Sequence, residues 1–282
     1  MTKLKIINDS NILKKLIQGY KLKKKKIGYV PTLGALHDGH LELIRLAKKE
    51  SDIVVVSIFL NPLQFNSKND FKKYPLKLKS DKIKINKEGV DVLYLPTLKE
   101  VFSFKKIKKI KASNIANKLC GKFRKGHFDG VVTVLKLLFN QVSPNFVFLG
   151  KKDFQQILVI KDLILKYKLK IKIICVETVR SNSGLALSSR NLLLTKKQKK
   201  IAPFLFKIIK KISLDAKTNL KDLNKLKIKG KKQLINYGFT KIDYLEIYNE
   251  NNLSRKNINK NNLRVFAAVF LGKTRLIDNY KN

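Results

Sequence analysis

Short buried strands alternate with amphipathic helices between residues 27 and 176, and this alternation restricts the possible fold more than any other feature. The run Asp52 to Leu60 is almost continuously apolar and β-branched, which is typical of a strand covered on both faces. Such alternation predicts βαβ units with right-handed crossovers and an α/β fold with a Rossmann-like parallel sheet. The other predicted strands are Ile27 to Val30, Val90 to Leu95, Asn145 to Leu149 and Ile171 to Val176.

Helices are predicted where apolar residues recur at helical spacing. The lysine-rich segment Lys105 to Lys111 is predicted to be an edge strand or a loop. The predicted helices cover Ile12 to Tyr20, His40 to Lys49, Pro75 to Lys87, Ser113 to Leu119, Val131 to Val142 and Phe154 to Lys168.

The pattern changes after residue 176, where a polar connector, Thr178 to Asn191, begins. The two last apolar runs are joined at Gly272-Lys273, which favours a hairpin and a small antiparallel sheet. We therefore expect a Rossmann-like domain over residues 1–176 and a smaller C-terminal α+β domain over 177–282. Its predicted elements are helices over Lys196 to Asp215 and Leu220 to Tyr237, and strands over Lys241 to Tyr248, Leu263 to Leu271 and Thr274 to Asp278.

Charge is the unusual part of the composition. Lys and Arg number 62 against 20 Asp and Glu, a formal net charge of +42. Basic surfaces attract nucleic acid and anionic membranes, but 55 of the positive residues are lysines spread along the whole chain. We therefore expect weak, salt-sensitive binding to nucleic acid and no specific partner of that kind. The alternative, a non-enzymatic nucleic-acid-binding protein, predicts binding that outlasts moderate salt.

Cysteine usage and the N-terminal sequence favour a cytoplasmic protein. Cys120 and Cys175 are far apart and belong to no C-x-x-C pair, so neither a disulfide framework nor a zinc site is expected. Lysines interrupt every apolar run near the N-terminus, and no segment approaches the length of a membrane span. We therefore expect no signal peptide, transit peptide or membrane contact.

Two of the three histidines, His37 and His40, follow the first strand of the predicted sheet across a glycine-containing turn. Such a turn at the start of a helix points backbone N–H groups and the positive end of the helix dipole outward. A lone histidine is usually a core or capping residue, but a pair at this spacing favours function. The sequence therefore predicts an anion site that carries two imidazoles.

Further polar residues follow the carboxyl ends of predicted strands, where open α/β sheets place ligands. Among them are Gln64, the turn Gly150 to Asp153 and Gln156. In the connector, Ser188-Ser189-Arg190 predicts a second phosphate clamp.

Arginine is scarce, at seven residues. Arg124, Arg180 and Arg190 lie in turns and are candidates for gripping phosphate or carboxylate. Arg45 and Arg255 are expected in ordinary surface salt bridges.

Cationic and neutral donors dominate this set, with no Ser/His/Asp triad and no pair of catalytic carboxylates. Such residues suit the stabilisation of a transferring phosphorus and a departing pyrophosphate. The G-x-G-x-x-G and Walker A fingerprints are absent. A nucleotidyltransferase with a phosphate acceptor stays open, although the uncharged amides of Gln64 and Gln156 favour a hydroxy acid. A tRNA synthetase is disfavoured, because little chain remains for an anticodon module.

Five motifs follow one another along the chain: Pro31 to His40, Asn61 to Phe65, Arg124 to Gly130, Gly150 to Gln156 and Leu185 to Asn191. Together they resemble the ordered motif set of the pantothenate synthetase, or pantoate-β-alanine ligase, family. A lone H-x-G-H would indicate only the nucleotidyltransferase superfamily shared with class I aminoacyl-tRNA synthetases. Five motifs in order are specific, and because Thr274 to Asn279 also fits, the resemblance covers nearly the full chain.

The resemblance implies a two-step reaction. The carboxylate of pantoate attacks the α-phosphorus of ATP, pyrophosphate leaves, and the amine of β-alanine then displaces AMP from pantoyl adenylate to give pantothenate. Mg²⁺ would accompany ATP and bridge its phosphates. Asp81 is a possible outer metal ligand, the other metal ligands are unassigned, and a homodimer is implied.

The resemblance also assigns roles to residues. His40 is implied as the proton donor, His37 as its partner at the ATP phosphates and Lys152 as their support. Gln64 and Gln156 are implied to hold pantoate, with Gln64 also near β-alanine. The implied ATP-binding residues are Leu33, Gly34, Ala35, Leu36, His37, Asp38, Gly39, His40, Gly150, Lys151, Lys152, Asp153, Val179, Leu187, Ser188, Ser189 and Arg190.

The sequence departs from the family pattern at five positions. Leu33 and Leu187 replace a usual Met, a change of similar volume that should matter little. Lys125 replaces a usual Pro and is expected to loosen its loop. Lys151 replaces a usual Glu and Ser183 a usual Asp, so we expect more positive charge near the triphosphate and an altered affinity for ATP.

Overall fold

The computed structural model describes residues 3–102 and 108–282 of the chain. Six strands in these residues pair in parallel into one sheet: β1 (Lys5–Ile7), β2 (Ile27–Thr32), β3 (Ile53–Ile58), β4 (Val92–Tyr94), β5 (Phe146–Gly150) and β6 (Lys172–Val176). Their order is β1-β4-β3-β2-β5-β6. The predicted α/β fold is confirmed. The edge strand β1 was not predicted, because three residues are too few to show a periodic pattern.

The strand order reverses between β2 and β5. The chain runs outward from β2 through β3 to β4, and outward on the other side from β5 to β6. Loops that leave β2 and β5 therefore diverge, and a crevice opens at the carboxyl ends of these two strands. The turn that carries His37 and the turn after Gly150 border this crevice.

Helices cover both faces of the parallel sheet. Val54 and Val56 of β3 pack with the helices over residues 38–50 and 78–87 on one face, while Val55 faces a cluster that includes residues of the helices over 10–22, 127–142 and 154–166. The alternation along β3 explains why nearly every residue of this strand is apolar. The helices of this part are α1 (Ser10–Leu22), α2 (Asp38–Glu50), α3 (Lys68–Lys72), α4 (Leu78–Lys87), α5 (Leu98–Phe102), α6 (Leu119–Phe123), α7 (His127–Val142) and α8 (Phe154–Lys166).

The C-terminal part contains the predicted antiparallel sheet and helices. Val265 and Ala267 on its central strand pack with the helices over residues 204–218 and 223–236. Phe266 and Ala268, on the other face of that strand, join the core around α7 and α8. The two parts thus share apolar core, and the division at residue 176 stays a prediction. The elements are α9 (Lys196–Ile201), α10 (Phe204–Thr218), α11 (Leu223–Asn236), β7 (Lys241–Asn249), β8 (Leu263–Leu271) and β9 (Thr274–Tyr280), with sheet order β7-β8-β9.

Several helix boundaries differ from the predictions. The helix predicted from Lys196 is interrupted at Pro203, which precedes α10, because proline cannot donate a helical hydrogen bond. Helix α7 begins four residues before the predicted start, since Gly126 adopts a left-handed conformation with φ of 77° and ends the preceding turn. Helix α4 begins at Leu78 rather than Pro75.

Other differences concern short elements. The short helix predicted near Ser113 is a 3₁₀ turn, Asn114–Asn117, followed by α6. Helices α3 and α5 were not predicted, because each has five residues. Of the segment predicted as an edge strand or loop, residues 105–107 lie outside the described residues, and 108–111 belong to no helix or strand. None of the described helices combines the length and apolar character that a membrane crossing requires.

Candidate active site

A buried carboxylate fixes the turn between β2 and α2. Gly34 and Ala35 have positive φ, at 85° and 51°. Asp81 on α4 is 1% exposed, and its two oxygens accept hydrogen bonds from the N–H groups of Ala35 and Leu36, each at 2.8 Å. Lys84 donates to the carbonyl of Leu36 at 2.6 Å. The prediction that this turn points its N–H groups outward is therefore wrong for these two groups, because Asp81 already binds them.

His37 and His40 form a close pair at the start of α2, with ring centroids 4.1 Å apart. The Nδ1 atom of His37 accepts from the N–H of Gly39 at 3.2 Å, and Nδ1 of His40 accepts from the N–H of His37 at 3.3 Å. A ring nitrogen that accepts carries no proton. The hydrogen-bond pattern therefore assigns both rings the neutral tautomer with hydrogen on Nε2.

Burial keeps both rings neutral. It lowers the pKa of His37 from 6.5 to about 4, with a further contribution from Lys152. Burial also lowers the pKa of His40 well below its usual value, and His37 and Lys152 act in the same direction. At neutral pH the pair therefore offers Nε2–H donors, while the ammonium group of Lys152 supplies positive charge beside them.

Gln64 ends a single 3₁₀ turn, Pro62–Gln64, that packs directly on α7. A Cβ on Gly130 would lie 2.1 Å from the carbonyl oxygen of Leu63, so only glycine permits this contact. Asn61 donates to Oε1 of Gln64 at 3.0 Å and to the carbonyl of Gly130 at 3.1 Å. The oxygen of the Gln64 amide is thereby held, and its NH₂ group can donate to a ligand.

Arg124 and His127 hold the same turn through its backbone. Nδ1 of His127 donates to the carbonyl of Gln64 at 2.6 Å, and Arg124 donates to that carbonyl at 3.1 Å and to Nε2 of His127 at 3.2 Å. Burial, then repulsion from Arg124, lowers the pKa of His127 to about 3, so this ring is also neutral. Sequence analysis identified the motif that contains both residues, Arg124 to Gly130, but only the fold shows that they position Gln64.

A residue of the C-terminal sheet fixes the turn after β5. Residues Lys151–Asp153 form a 3₁₀ turn. Asn279 on β9 donates to the carbonyls of Lys151 and Lys152, each at 2.9 Å. Arg264 donates to Oδ1 of Asn279 at 2.8 Å, which orients the amide. Sequence analysis assigned Asn279 no role beyond its place in the last similar segment.

The connector after β6 folds against the turn at α2. Ser189 is 6% exposed, and its hydroxyl donates to the carbonyl of Ala35 at 3.1 Å. Ser188 caps the 3₁₀ helix Ser189–Leu193. Arg190 reaches Asp70 on α3, with the closest N–O pair 3.3 Å apart. The clamp predicted from the sequence thus lies beside the histidine turn, and its contact with phosphate stays a prediction.

One cavity of about 580 Å³ brings most of the predicted site residues together. Gly34, Ala35, Leu36, Asp38 and Lys151 are not among the described residues that line it, although they belong to the turns that border it. Asp70, Tyr74, Arg124, Asp243 and Arg275 also line it, and sequence analysis gave them no site role apart from Arg124. The predicted residues that line it are Leu33, His37, Gly39, His40, Gln64, Gly150, Lys152, Asp153, Gln156, Val179, Leu187, Ser188, Ser189 and Arg190.

Two cationic side chains near the site pair with carboxylates of the protein itself. Arg180 binds the carboxylate of Asp278 through two hydrogen bonds of 2.6 and 3.0 Å, so the carboxylate that it grips belongs to the protein, and the contact ties the connector to β9. Lys151 is not among the described residues that line the cavity, but its side chain forms an ion pair with Glu177, which does line it; the effect of Lys151 on ATP affinity stays a prediction. Arg45 and Arg255 form exposed ion pairs, as predicted.

The fold and the cavity together define the class of α/β proteins that bind a nucleotide where the strand order of a parallel sheet reverses. A family model described as pantoate-beta-alanine ligase matches residues 5–281, and the chain belongs to that family. The resemblance drawn from the sequence is thereby confirmed.

The chain is similar to known relatives and to solved structures over nearly its whole length. The chain is 44% identical to a pantothenate synthetase of Buchnera aphidicola subsp. Acyrthosiphon pisum (strain 5A), over 98% of each chain. Its structure is similar to that of pantothenate synthetase from Thermus thermophilus, with 31% identity, a TM-score of 0.89 and coverage of 98% and 99%. It is also similar to pantoate-beta-alanine ligase from Francisella tularensis complexed with beta-gamma ATP and beta-alanine, with 36% identity, a TM-score of 0.83 and coverage of 99% and 97%.

Proposed function

We propose that the protein condenses pantoate with β-alanine, using ATP, to give pantothenate, AMP and pyrophosphate through pantoyl adenylate. The observation that carries the proposal is one cavity that joins phosphate donors, His37, His40 and Lys152, with two uncharged amides, Gln64 and Gln156. Membership of the pantoate-β-alanine ligase family supports it. The Francisella tularensis relative, complexed with beta-gamma ATP and beta-alanine, supports two of the three substrates.

In the first step a carboxylate oxygen of pantoate attacks the α-phosphorus of ATP, and the bond from that phosphorus to pyrophosphate breaks. His37 and His40 donate Nε2–H groups to phosphate oxygens, and Lys152 places positive charge beside the leaving pyrophosphate. Because these donors are in place before the reaction, they stabilise the charge that develops in the transition state. The low pKa of both rings favours hydrogen bonding over proton donation by His40.

In the second step the amine of β-alanine attacks the acyl carbon, the bond to the AMP oxygen breaks, and the nitrogen loses a proton. Gln64 and Gln156 orient the pantoyl group, and Gln64 also meets β-alanine. Asn61, Arg124 and His127 keep Gln64 in position. The accurate placement of the acyl carbon and the amine supplies much of the rate enhancement.

The remaining parts of the proposal concern ATP and its surroundings. Asp81 uses both oxygens on backbone N–H groups, and the described residues contain no group of three His, Cys, Asp or Glu side chains that could hold a metal. Mg²⁺ is proposed to enter with ATP, where it would neutralise phosphate charge. A cytoplasmic location and a homodimer belong to the proposal. Proposed ATP contacts come from Leu33, Gly34, Ala35, Leu36, Asp38, Gly39, Gly150, Lys151, Asp153, Val179, Leu187, Ser188, Ser189 and Arg190.

Exchange of labelled pyrophosphate into ATP tests the first step in isolation. We expect exchange that requires pantoate and Mg²⁺ but no β-alanine, followed by release of AMP when β-alanine is added. His40→Ala should abolish most of the exchange, whereas Glu50→Gln, at the exposed far end of the same helix, should not. Exchange that requires a phosphate ester in place of pantoate would contradict the proposal.

A further inference from the structure

Arg124 lines the cavity, and its hydrogen-bond partners are uncharged. It donates to the carbonyl of Gln64 and to Nε2 of the neutral His127. Across residues 3–102 and 108–282, no ion pair joins Arg124 to a carboxylate. The other two arginines of this cavity have acidic partners, since Arg190 reaches Asp70 at 3.3 Å and Arg275 reaches Asp243 at 2.8 Å.

The surroundings of Arg124 make an unpaired positive charge unfavourable. Burial lowers its pKa to about 10, and Arg190 and Arg275 act in the same direction. Arg124 is partly buried, and a charge withdrawn from water without a counterion destabilises a fold unless a ligand compensates it. The positive charge of Arg124 therefore favours the binding of an anionic group in the cavity.

The reaction indicates which anion fits. The triphosphate is proposed to meet His37, His40 and Lys152 at the crevice between β2 and β5. The carboxylate of pantoate loses its charge when the adenylate forms. Of the two substrate carboxylates, only that of β-alanine keeps its charge through the second step, and no cation has yet been assigned to it. Gln64, which is proposed to meet β-alanine, is the residue whose carbonyl Arg124 contacts.

We infer that Arg124 binds the carboxylate of the amino-acid substrate and selects a β-amino acid over an amine that lacks a carboxylate. This inference rests on the proposed function. A guanidinium carries five N–H donors, and because Gln64 and His127 take one each, three remain for a carboxylate, which arginine binds in a planar, paired geometry. Arg275, anchored by Asp243, adds positive potential.

Replacement of Arg124 in the full-length enzyme separates a charge role from a structural one. We compare kcat/KM for β-alanine with that for its amide, 3-aminopropanamide, in wild type, Arg124→Gln and Arg124→Lys. In Arg124→Gln the preference for β-alanine should fall roughly 10- to 150-fold, the size expected for a lost charge-assisted hydrogen bond. Arg124→Lys should keep most of the preference because it keeps the charge, and Arg255→Gln, in a side chain that is 63% exposed, should change nothing.

Two results would overturn the inference. One is an unchanged preference in Arg124→Gln, with both amines slowed equally, which is what loss of Gln64 placement alone predicts. The other needs no variant: propionate that inhibits no better than propanamide, in competition with β-alanine, would show that the site does not read a carboxylate. Pantoate-dependent pyrophosphate exchange precedes β-alanine, so its absence in the wild type would contradict the proposed function and not the role of Arg124.

Discussion

At the scale of single residues, hydrogen bonds determine which ring nitrogen carries the proton in the histidine pair of α2. Each Nδ1 accepts a backbone N–H, so each Nε2 is a donor, and burial keeps both rings neutral at physiological pH. Protonation beside the positive charge of Lys152 would be unfavourable. The geometry therefore favours hydrogen bonding to phosphate over transfer of a proton.

Substitution of His40 distinguishes these two roles. The amide of glutamine can place an N–H near the position of Nε2–H, whereas alanine cannot. We expect His40→Ala to lower pantoate-dependent exchange by roughly 10²- to 10³-fold, as for the loss of an aligned donor, and His40→Gln to recover at least part of that loss. If His40→Gln were as inactive as His40→Ala, a proton-transfer role would be favoured.

Asp81 is the residue that shapes the histidine turn. The carboxylate of Asp81 accepts hydrogen bonds from the N–H groups of Ala35 and Leu36. In Asp81→Asn an NH₂ group would replace one of the two acceptor oxygens and would face one of these N–H groups. We expect the free energy of unfolding in urea to fall by about 1–3 kcal/mol, the cost of an unsatisfied buried group, and KM for ATP to rise. Glu50→Gln serves as the control, and unchanged values for both quantities would show that the turn does not depend on Asp81.

At the scale of elements, the site depends on close contact between the turn of Gln64 and α7. Gly130→Ala would bring a Cβ to 2.1 Å from the carbonyl oxygen of Leu63, and the turn must then move. We expect a loss of stability and a higher KM for pantoate. Gly19→Ala in α1 is the matched control, because nothing lies within 4 Å of its Cβ, and it should stabilise the protein by about 0.5–1 kcal/mol. Equal effects of the two substitutions would contradict this account.

The sequence predicted five of the six described strands of the parallel sheet and the motifs at their ends, because periodicity and glycine-containing turns are local signals. It did not reveal the residues that hold those motifs in place. Asp81 contacts a turn 45 and 46 positions away, and Asn279 contacts one 127 and 128 positions away. A single sequence does not encode such pairings in any local pattern. For the same reason the sequence predicted that Arg180 grips phosphate or carboxylate, but not that the carboxylate is that of Asp278.

At the scale of the whole molecule, all three histidines are held neutral by the fold. The pKa of His37 is about 4 and that of His127 about 3, and that of His40 is well below its usual value, whereas an unfolded chain titrates near 6.5. The folded and unfolded forms bind the same number of these protons above pH 7. Between pH 6.5 and about 4 only the unfolded chain takes them up, so the contribution of the histidines to stability must fall as the pH falls.

Urea unfolding between pH 8 and pH 5 measures this coupling. Each histidine is expected to contribute a slope that approaches about 1.4 kcal/mol per pH unit below pH 6, with stability higher at higher pH. In His127→Gln the slope should fall by about one proton. A free energy of unfolding that is the same at pH 8 and pH 5 would contradict neutral histidines in the fold.

The fate of one oxygen atom tests the central claim most directly. If the carboxylate of pantoate attacks the α-phosphorus, pantoate labelled with ¹⁸O in its carboxylate must leave one labelled oxygen in the phosphate of AMP. We predict one ¹⁸O per AMP by mass spectrometry, with none in pyrophosphate. Unlabelled AMP, with the oxygen that leaves pantoate found in pyrophosphate, in inorganic phosphate or in water, would contradict an acyl-adenylate mechanism in this cavity.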